Sequence, residues 1–188
     1  YIVFDLEWNQ CPYGKGQENE RIPFEIIEIG AVKLNEEREK VAEFHRIIRP
    51  CVYRQMHRII SEVTHVSIEE LERDGEPFAA VMEDFLKWCG EDCIFCTWGS
   101  MDLTELQRNM VYHGMTIPFP KPFLFYDVQK LYSLCYQDGK ARISLDEAVE
   151  SFALDVDAPF HRALGDAEYT GRVMRAMDFE SVKDYVSV

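Results

Sequence analysis

Nowhere in these 188 residues does an apolar run approach the roughly 18 residues that a membrane-spanning helix needs, and charges interrupt every candidate. Basic residues are also scarce. Twenty Lys and Arg stand against 34 Asp and Glu, a formal net charge of −14. Coating duplex DNA or an anionic membrane rests on Lys and Arg neutralising phosphates, so the charge balance argues against that way of binding. An enzyme that grips a nucleic-acid end through metal ions is not excluded, and the acidic excess otherwise reads as an aid to solubility. Repeats, Ser/Gly linkers and low-complexity tracts are missing, so residues 1–188 read as one domain. The opening YIVFDLEWNQ has four apolar residues before Asp5 and no basic stretch ahead of them. It is therefore not expected to be a secretory signal, and the chain is expected to be cytoplasmic. What is present is core material: 47% hydrophobic and 13% aromatic residues rule out disorder as the overall state.

The six cysteines, Cys11, Cys51, Cys89, Cys93, Cys96 and Cys135, are an even number, yet a chain with this much core needs no disulfide staples. Cys89-Gly-Glu-Asp-Cys93-Ile-Phe-Cys96 has the outline of a metal knuckle. CIFCTW reads instead as a buried strand, in which positions three apart face opposite sides. A zinc knuckle wants a tight turn between its ligands. Reduced core thiols are the expectation.

Residues 1–7 read as a strand, followed by a polar stretch from Asn9 to Arg21 that is too long for a tight hairpin connection. FEIIEIGAVK (24–33) and VAEFHRII (41–48) are rich in β-branched and aromatic residues, with a charged hairpin loop at 35–40 between them. Three antiparallel strands follow from this. The period then changes. Short helices are expected at 55–62 and 68–72, and a longer one enters at Gly75-Glu76-Pro77, with Pro in its first turn and Phe78, Val81, Met82, Phe85 and Leu86 at helical spacing. A strand at 92–98, a helix at 103–113, a strand at 123–126 and a helix at 127–136 come next. Ser144-Leu-Asp-Glu147 fits a capping box, and 163–177 forms the last long helix. Three antiparallel strands followed by alternating helix and strand predict an α/β fold, a mixed sheet flanked by helices.

Three places carry candidate chemistry. Asp5 and Glu7, two apart in a strand, project from one face while Leu6 faces the other layer. Like charges side by side are costly unless solvated or bound to a cation, so D-x-E reads either as edge polarity or as a ligand pair. Asp102 stands where a strand gives way to a helix, as a helix cap or as a third acid. His161-Arg-Ala-Leu-Gly-Asp166 leads into the final helix, with His161 in a loop after Pro159.

Taken together, FDLEWN, EIIEIGAVKL, WGSMDLTEL and HRALGDAEYTG resemble, in order and from Tyr1 to about Met177, the motifs of the DEDDh 3′–5′ exonucleases. That branch of the RNase H-like superfamily includes RNase T and the proofreading subunits of DNA polymerases. The His-x4-Asp spacing distinguishes it from the Tyr-using branch, and FDLEWNQ with EIIEIGAV and WG-x-x-D is most similar to exoribonucleases that trim histone messenger and small RNA 3′ ends. The resemblance implies an RNase H-like mixed five-stranded sheet, three antiparallel strands then parallel ones, flanked by helices. It implies two divalent ions, Mg²⁺ or Mn²⁺, with Asp5 bridging both, Glu7 and Asp166 on the first, and Asp102 acting on the second through water. His161 is implied as the general base. Leu6, Glu7 and Trp8 are implied to line the pocket of the terminal nucleotide. Trp8 either stacks against a base or packs in the core. Many family members carry Thr-Gly-Ile beside the substrate end. Here the stretch is Val63-Thr64-His65-Val66, with His65 in place of Gly, so Thr64 and His65 are the substrate contacts to examine.

The chemistry suits that implication. Phosphodiester hydrolysis needs an activated water, a neutralised phosphate and a stabilised leaving oxygen, which paired divalent ions supply. Such ions prefer oxygen ligands, and imidazole titrates near neutral pH. A glycosidase would need only two carboxyls across a sugar ring. The function expected is release of nucleoside 5′-monophosphates from the 3′ end of single-stranded nucleic acid, RNA favoured over DNA. The alternatives are a proofreading-type DNA exonuclease subunit and a non-catalytic nucleic-acid or protein adaptor. Lys15, Arg21, Arg54 and Arg58 are the residues from which a local basic patch would be built.

Overall fold

The opening strand alternates as its sequence demands. In the computed structural model, which describes residues 1–14 and 16–188, β1 runs Ile2–Gln10, three residues beyond the expected end. Ile2, Phe4 and Leu6 enter one apolar layer, while Val3 enters the other. Asp5 and Glu7 share the face of Val3, because side chains two apart in a strand point the same way.

β2 (Phe24–Leu34) and β3 (Lys40–Ile47) continue the sheet antiparallel to it. β4 (Phe95–Thr97) and β5 (Phe125–Asp127) join in parallel, giving the order β3-β2-β1-β4-β5. Ser187 exchanges backbone hydrogen bonds with Phe125 and covers part of the free edge of β5. The described residues also form seven α-helices: α1 (Arg58–Thr64), α2 (Ile68–Asp74), α3 (Phe78–Cys89), α4 (Met101–Tyr112), α5 (Val128–Tyr136), α6 (Leu145–Ser151) and α7 (Ala163–Ala176). The expected α/β class and mixed five-stranded sheet are borne out. None of the helices is long and apolar enough to cross a membrane.

The two layers pack on opposite faces. On one, Phe78, Val81, Met82 and Phe85 of α3 and Leu103, Leu106 and Met110 of α4 cover Phe4, Leu6 and Ile26. Phe4 meets Phe85 and Phe95 edge-on, with ring centroids 5.9 and 5.6 Å apart, contacts worth about 0.5–1.5 kcal/mol each beyond their area. On the other face, Val173 and Met174 of α7 lie with Val3, Val32 and Leu34, and α5 and α6 complete the layer.

α7 approaches the sheet closely over one residue. A Cβ added at Gly30 would stand 2.0 Å from the backbone N of Leu164 and 2.2 Å from the carbonyl carbon of Ala163. Gly30 is the cross-strand partner of Asp5. The first turn of α7 therefore rests on bare backbone beside the acidic pair.

Several boundaries differ from the sequence reading, each for a local reason. The strand expected at 92–98 forms only over Phe95–Thr97, because α3 ends at Gly90 (φ 81°) and the chain turns through exposed Glu91 and Asp92 before pairing begins. Cys93 thus lies outside the strand, and the face argument for Cys93 and Cys96 does not apply. All six cysteines are free, but only Cys11, Cys89 and Cys96 are buried, and Cys51 is exposed. Cys93 and Cys135 are half-buried against the two core layers, so of the expected core thiols Cys51 is the one that lies outside. Pro77 caps α3 from outside rather than sitting in its first turn. The helix expected at 55–62 begins later, at Arg58. The Asn9 amide accepts the His57 N–H (2.9 Å) and donates to the Gln55 carbonyl (2.9 Å), holding that segment extended against β1. The capping box at Ser144 and Glu147 is present as read.

Two stability predictions follow from backbone geometry. Gly30→Ala forces α7 away from β2, and overpacking against backbone should cost about 3 kcal/mol in urea unfolding. An unchanged midpoint would mean that α7 lifts freely. His65 closes α1 in the left-handed region (φ 58°). His65→Gly should therefore stabilise the chain by roughly 0.5–1 kcal/mol, the left-handed penalty less the extra freedom of unfolded Gly. A lower melting temperature would contradict this.

Candidate active site

Asp5, Glu7 and Asp166 come together where α7 meets β1. One carboxylate oxygen from each lies within 4.8 Å of the others. Asp166 reaches them from the first turn of α7. Its Oδ2 accepts the backbone N–H of His161 at 3.0 Å, while its Oδ1 is buried without a partner. An orphaned buried oxygen, beside two further carboxylates and no sulfur, is the donor set of a hard divalent cation.

Asp102 belongs to the same neighbourhood but not to that trio. β4 pairs with β1 only at Ile2 and Val3, so past Val3 the β4 side of β1 loses its strand partner. Asp102, near the start of α4, fills the gap, and its Oδ1 accepts the Leu6 N–H at 3.1 Å. The Leu6 amide, expected to face substrate, is therefore already engaged.

On the other edge the β1–β2 ladder shifts between Glu7 and Trp8, which pair with Glu28 and Ile26 and leave Ile27 unmatched. Bulges of this kind re-aim side chains next to sites. Ile27 packs with Val66 and Leu71 under α1 and α2. Trp8 lies against Phe24, centroids 5.7 Å apart, and against the α3/α4 core. Of its two readings, packing is the one the geometry displays.

Thr64 is buried. Its hydroxyl donates to the Ile60 carbonyl (2.8 Å) and accepts the Val66 N–H (3.2 Å), closing α1. His65 is exposed, in the backbone conformation that Gly holds without strain. His161 is exposed as well, with φ 64°. In the basic patch anticipated from sequence, Lys15 lies outside the described residues. Arg21 stacks over Tyr112 (5.5 Å) and Arg58 pairs with Glu62 (3.1 Å), and both are exposed, as is Arg54.

The sequence reading missed the residues that brace this centre. Glu28, 1% exposed, lies across from Glu7 and is held by Arg162 (3.1 Å) and His45 (2.7 Å). An acid between the apolar pairs of IIEIG was the available signal. Glu25 accepts three backbone N–H groups, from Cys51, Val52 and Tyr53, at 2.6–2.9 Å. Asn109 of α4 pairs with the backbone of Ile26 and Phe24. A cavity of about 1040 Å³, lined by Phe95, Phe119 and Phe123 among others, contains none of Asp5, Glu7, Asp102 or Asp166.

Burial governs the charges. Desolvation, then Asp102, Glu7 and Asp166, push Asp5 well above the usual carboxylate range. Burial raises Glu7 to about 8, with Asp166 and Glu28 adding to it and Arg162 opposing. Burial also raises Asp102 to about 7 and Asp166 to about 6. Burial likewise pushes Glu28 upward, but its hydrogen bonds from His45 and Arg162 prevail and hold it below the ordinary value.

Carboxylates from strand and helix thus meet beside a loop whose His161 N–H is bonded to one of them, on a fold and centre that fit a nuclease class. A family model described as an exonuclease, RNase T type, matches residues 2–174, and the chain belongs to that family. Among curated proteins it is similar to the probable 3′–5′ exonuclease KapD of Bacillus subtilis (strain 168), 27% identical over 171 residues, 88% of this chain and 78% of that one. Among solved structures, it matches the nuclease domain of 3′hExo, a DEDDh family member bound to rAMP, with a TM-score of 0.78 at 20% identity, covering 100% of this chain and 95% of that one. The Mg²⁺- and Mn²⁺-bound form of S. pombe Pop2p gives 0.69 at 18% identity, over 98% and 83%.

The raised carboxyls make a signed prediction. Each titrates near 4 when unfolded and higher when folded, so the folded chain holds more protons in between and loses stability from roughly pH 4 up to about pH 8. In chelator, Asp5→Asn should be more stable than the parent, by a margin that widens from pH 5 to pH 8. A margin independent of pH would mean that these acids are not crowded.

Proposed function

We propose that the chain is a metal-dependent 3′–5′ exonuclease of the DEDDh type that removes nucleoside 5′-monophosphates from single-stranded nucleic acid, RNA in preference to DNA, with residues 1–188 acting as one domain. The observation that carries this reading is the convergence of Asp5, Glu7 and Asp166 around the unpartnered Oδ1 of Asp166. The DEDDh neighbour bound to rAMP supports the ribonucleotide preference.

Asp5, Glu7 and Asp166 would hold divalent ions, Mg²⁺ or Mn²⁺, and Asp102 would complete the acidic set from behind Leu6. Bound divalent ions supply charge neutralisation of the phosphate and a more acidic water. The remaining work belongs to side chains of this protein. An imidazole nitrogen of His161 takes the proton of the attacking water. The exposed ring is free to turn inward, while its backbone stays tied to Asp166. His65, exposed beside Thr64, is the contact offered to the terminal nucleotide.

The test compares end-labelled single-stranded RNA and DNA of matched sequence in Mn²⁺ or Mg²⁺. Mononucleotides should leave the 3′ end, faster from RNA, and a 3′-phosphate should block release. Cleavage of circular single strands would refute an exonuclease. His161→Ala should lower the rate by roughly 10²–10⁴-fold, the worth of a general base, with metal binding intact. Asp5→Ala should lose both activity and metal, measured calorimetrically. Equal loss of metal in the two variants would make His161 a ligand instead.

A further inference from the structure

The backbone of His161 is held from two sides. Its N–H is bonded to Asp166, and the next residue, Arg162, lays its guanidinium along the Glu28 carboxylate, with Nε 3.2 and 3.1 Å from the two oxygens and Nη2 3.2 Å from Oε1. His45 Nε2 fixes the same carboxylate from β3 at 2.7 Å. Glu28 is on the face of the sheet that carries Asp5 and Glu7, directly across from Glu7. The start of α7 has no side-chain cap to set its place, since its cap residue is Arg162 itself.

A buried ion pair contributes little net stability compared with an apolar pair of the same shape, so its worth here is sought in placement. The strained left-handed backbone at His161 persists only if its surroundings over-determine it. We infer that Glu28 is a positioning residue for His161: through the fork on Arg162 it fixes residues 161–162 to the sheet beside Glu7 and thereby sets where the imidazole stands over the carboxylates. This rests on reading His161 as the general base.

The experiment is a double-mutant cycle on the full chain, in steady-state turnover of 3′-end-labelled RNA at saturating Mn²⁺. Glu28→Gln keeps the shape and removes the charge. It should lower kcat roughly 10–100-fold, as misplacement by an ångström does, with KM changed less than about threefold. In the His161→Ala background the same substitution should change the rate less than about threefold, because its route to the reaction is already gone. Hydrogen exchange should quicken over 160–166. Arg162→Lys, which retains the charge but loses the fork, runs the same cycle if Glu28→Gln fails to fold. Equal losses in both backgrounds, or an unchanged kcat, would overturn the inference. If the parent shows no metal-dependent hydrolysis, the exonuclease reading fails, and exchange over 160–166 alone decides whether Glu28 holds the loop.

Discussion

The contact on which the site depends has no side chain in it. α7 lies on β2 with its backbone against Gly30, and any Cβ there would overlap Leu164. Because Gly30 pairs with Asp5, this contact brings Asp166 to β1. The rest of α7 then buries Ala167, Val173 and Met174, an apolar stripe that makes the approach favourable. Carboxylates repel one another, so nothing in their own chemistry would gather them without a cation. Apolar burial further along α7 and the missing Cβ at Gly30 do it instead.

A second constraint is the early parting of β4 from β1. A central strand that loses its neighbour exposes orphan N–H groups, which are expensive to bury. Asp102 satisfies that of Leu6, so one carboxylate both completes the backbone pairing and stands beside the acidic trio. Asn109 solves the same problem for the Ile26 N–H at the bulge, and the Asn9 side chain does so for the His57 N–H in the neighbouring segment. Asp102, Asn109, Glu25 and Asn9 bond to backbone, and they tie α4 and the 51–57 segment to the sheet that carries Asp5 and Glu7.

What the sequence revealed was periodic or local. Alternation in YIVFDLE placed Asp5 and Glu7 on one face, the capping box opened α6, and His-x4-Asp marked the start of α7. What it hid depends on partners far along the chain. Glu28 and Arg162 are 134 residues apart and Leu6 and Asp102 are 96 apart, and no local pattern reports either pairing. The shortening of β4 was hidden for a related reason. Cys93 and Ile94 are apolar enough for a strand, but the left-handed Gly90 and the register against Ile2 decide where pairing begins. Trp8 was ambiguous because an aromatic at a strand end suits base stacking and core packing equally well, until Phe24 is found beside it.

The contrast between Glu7 and Glu28 shows how the fold apportions charge. They face each other across two strands and are both withdrawn from water, yet they titrate in opposite directions. Glu28 is held below its ordinary value by hydrogen bonds from Arg162 and His45, while Glu7 shares only the fringe of Arg162 and is driven toward its protonated form. A protein needing only stability would have paired both or made both apolar. Leaving one acid braced and its neighbour uncompensated stores an unfavourable charge at the point where Asp5 and Asp166 converge. A divalent cation bound there would relieve it.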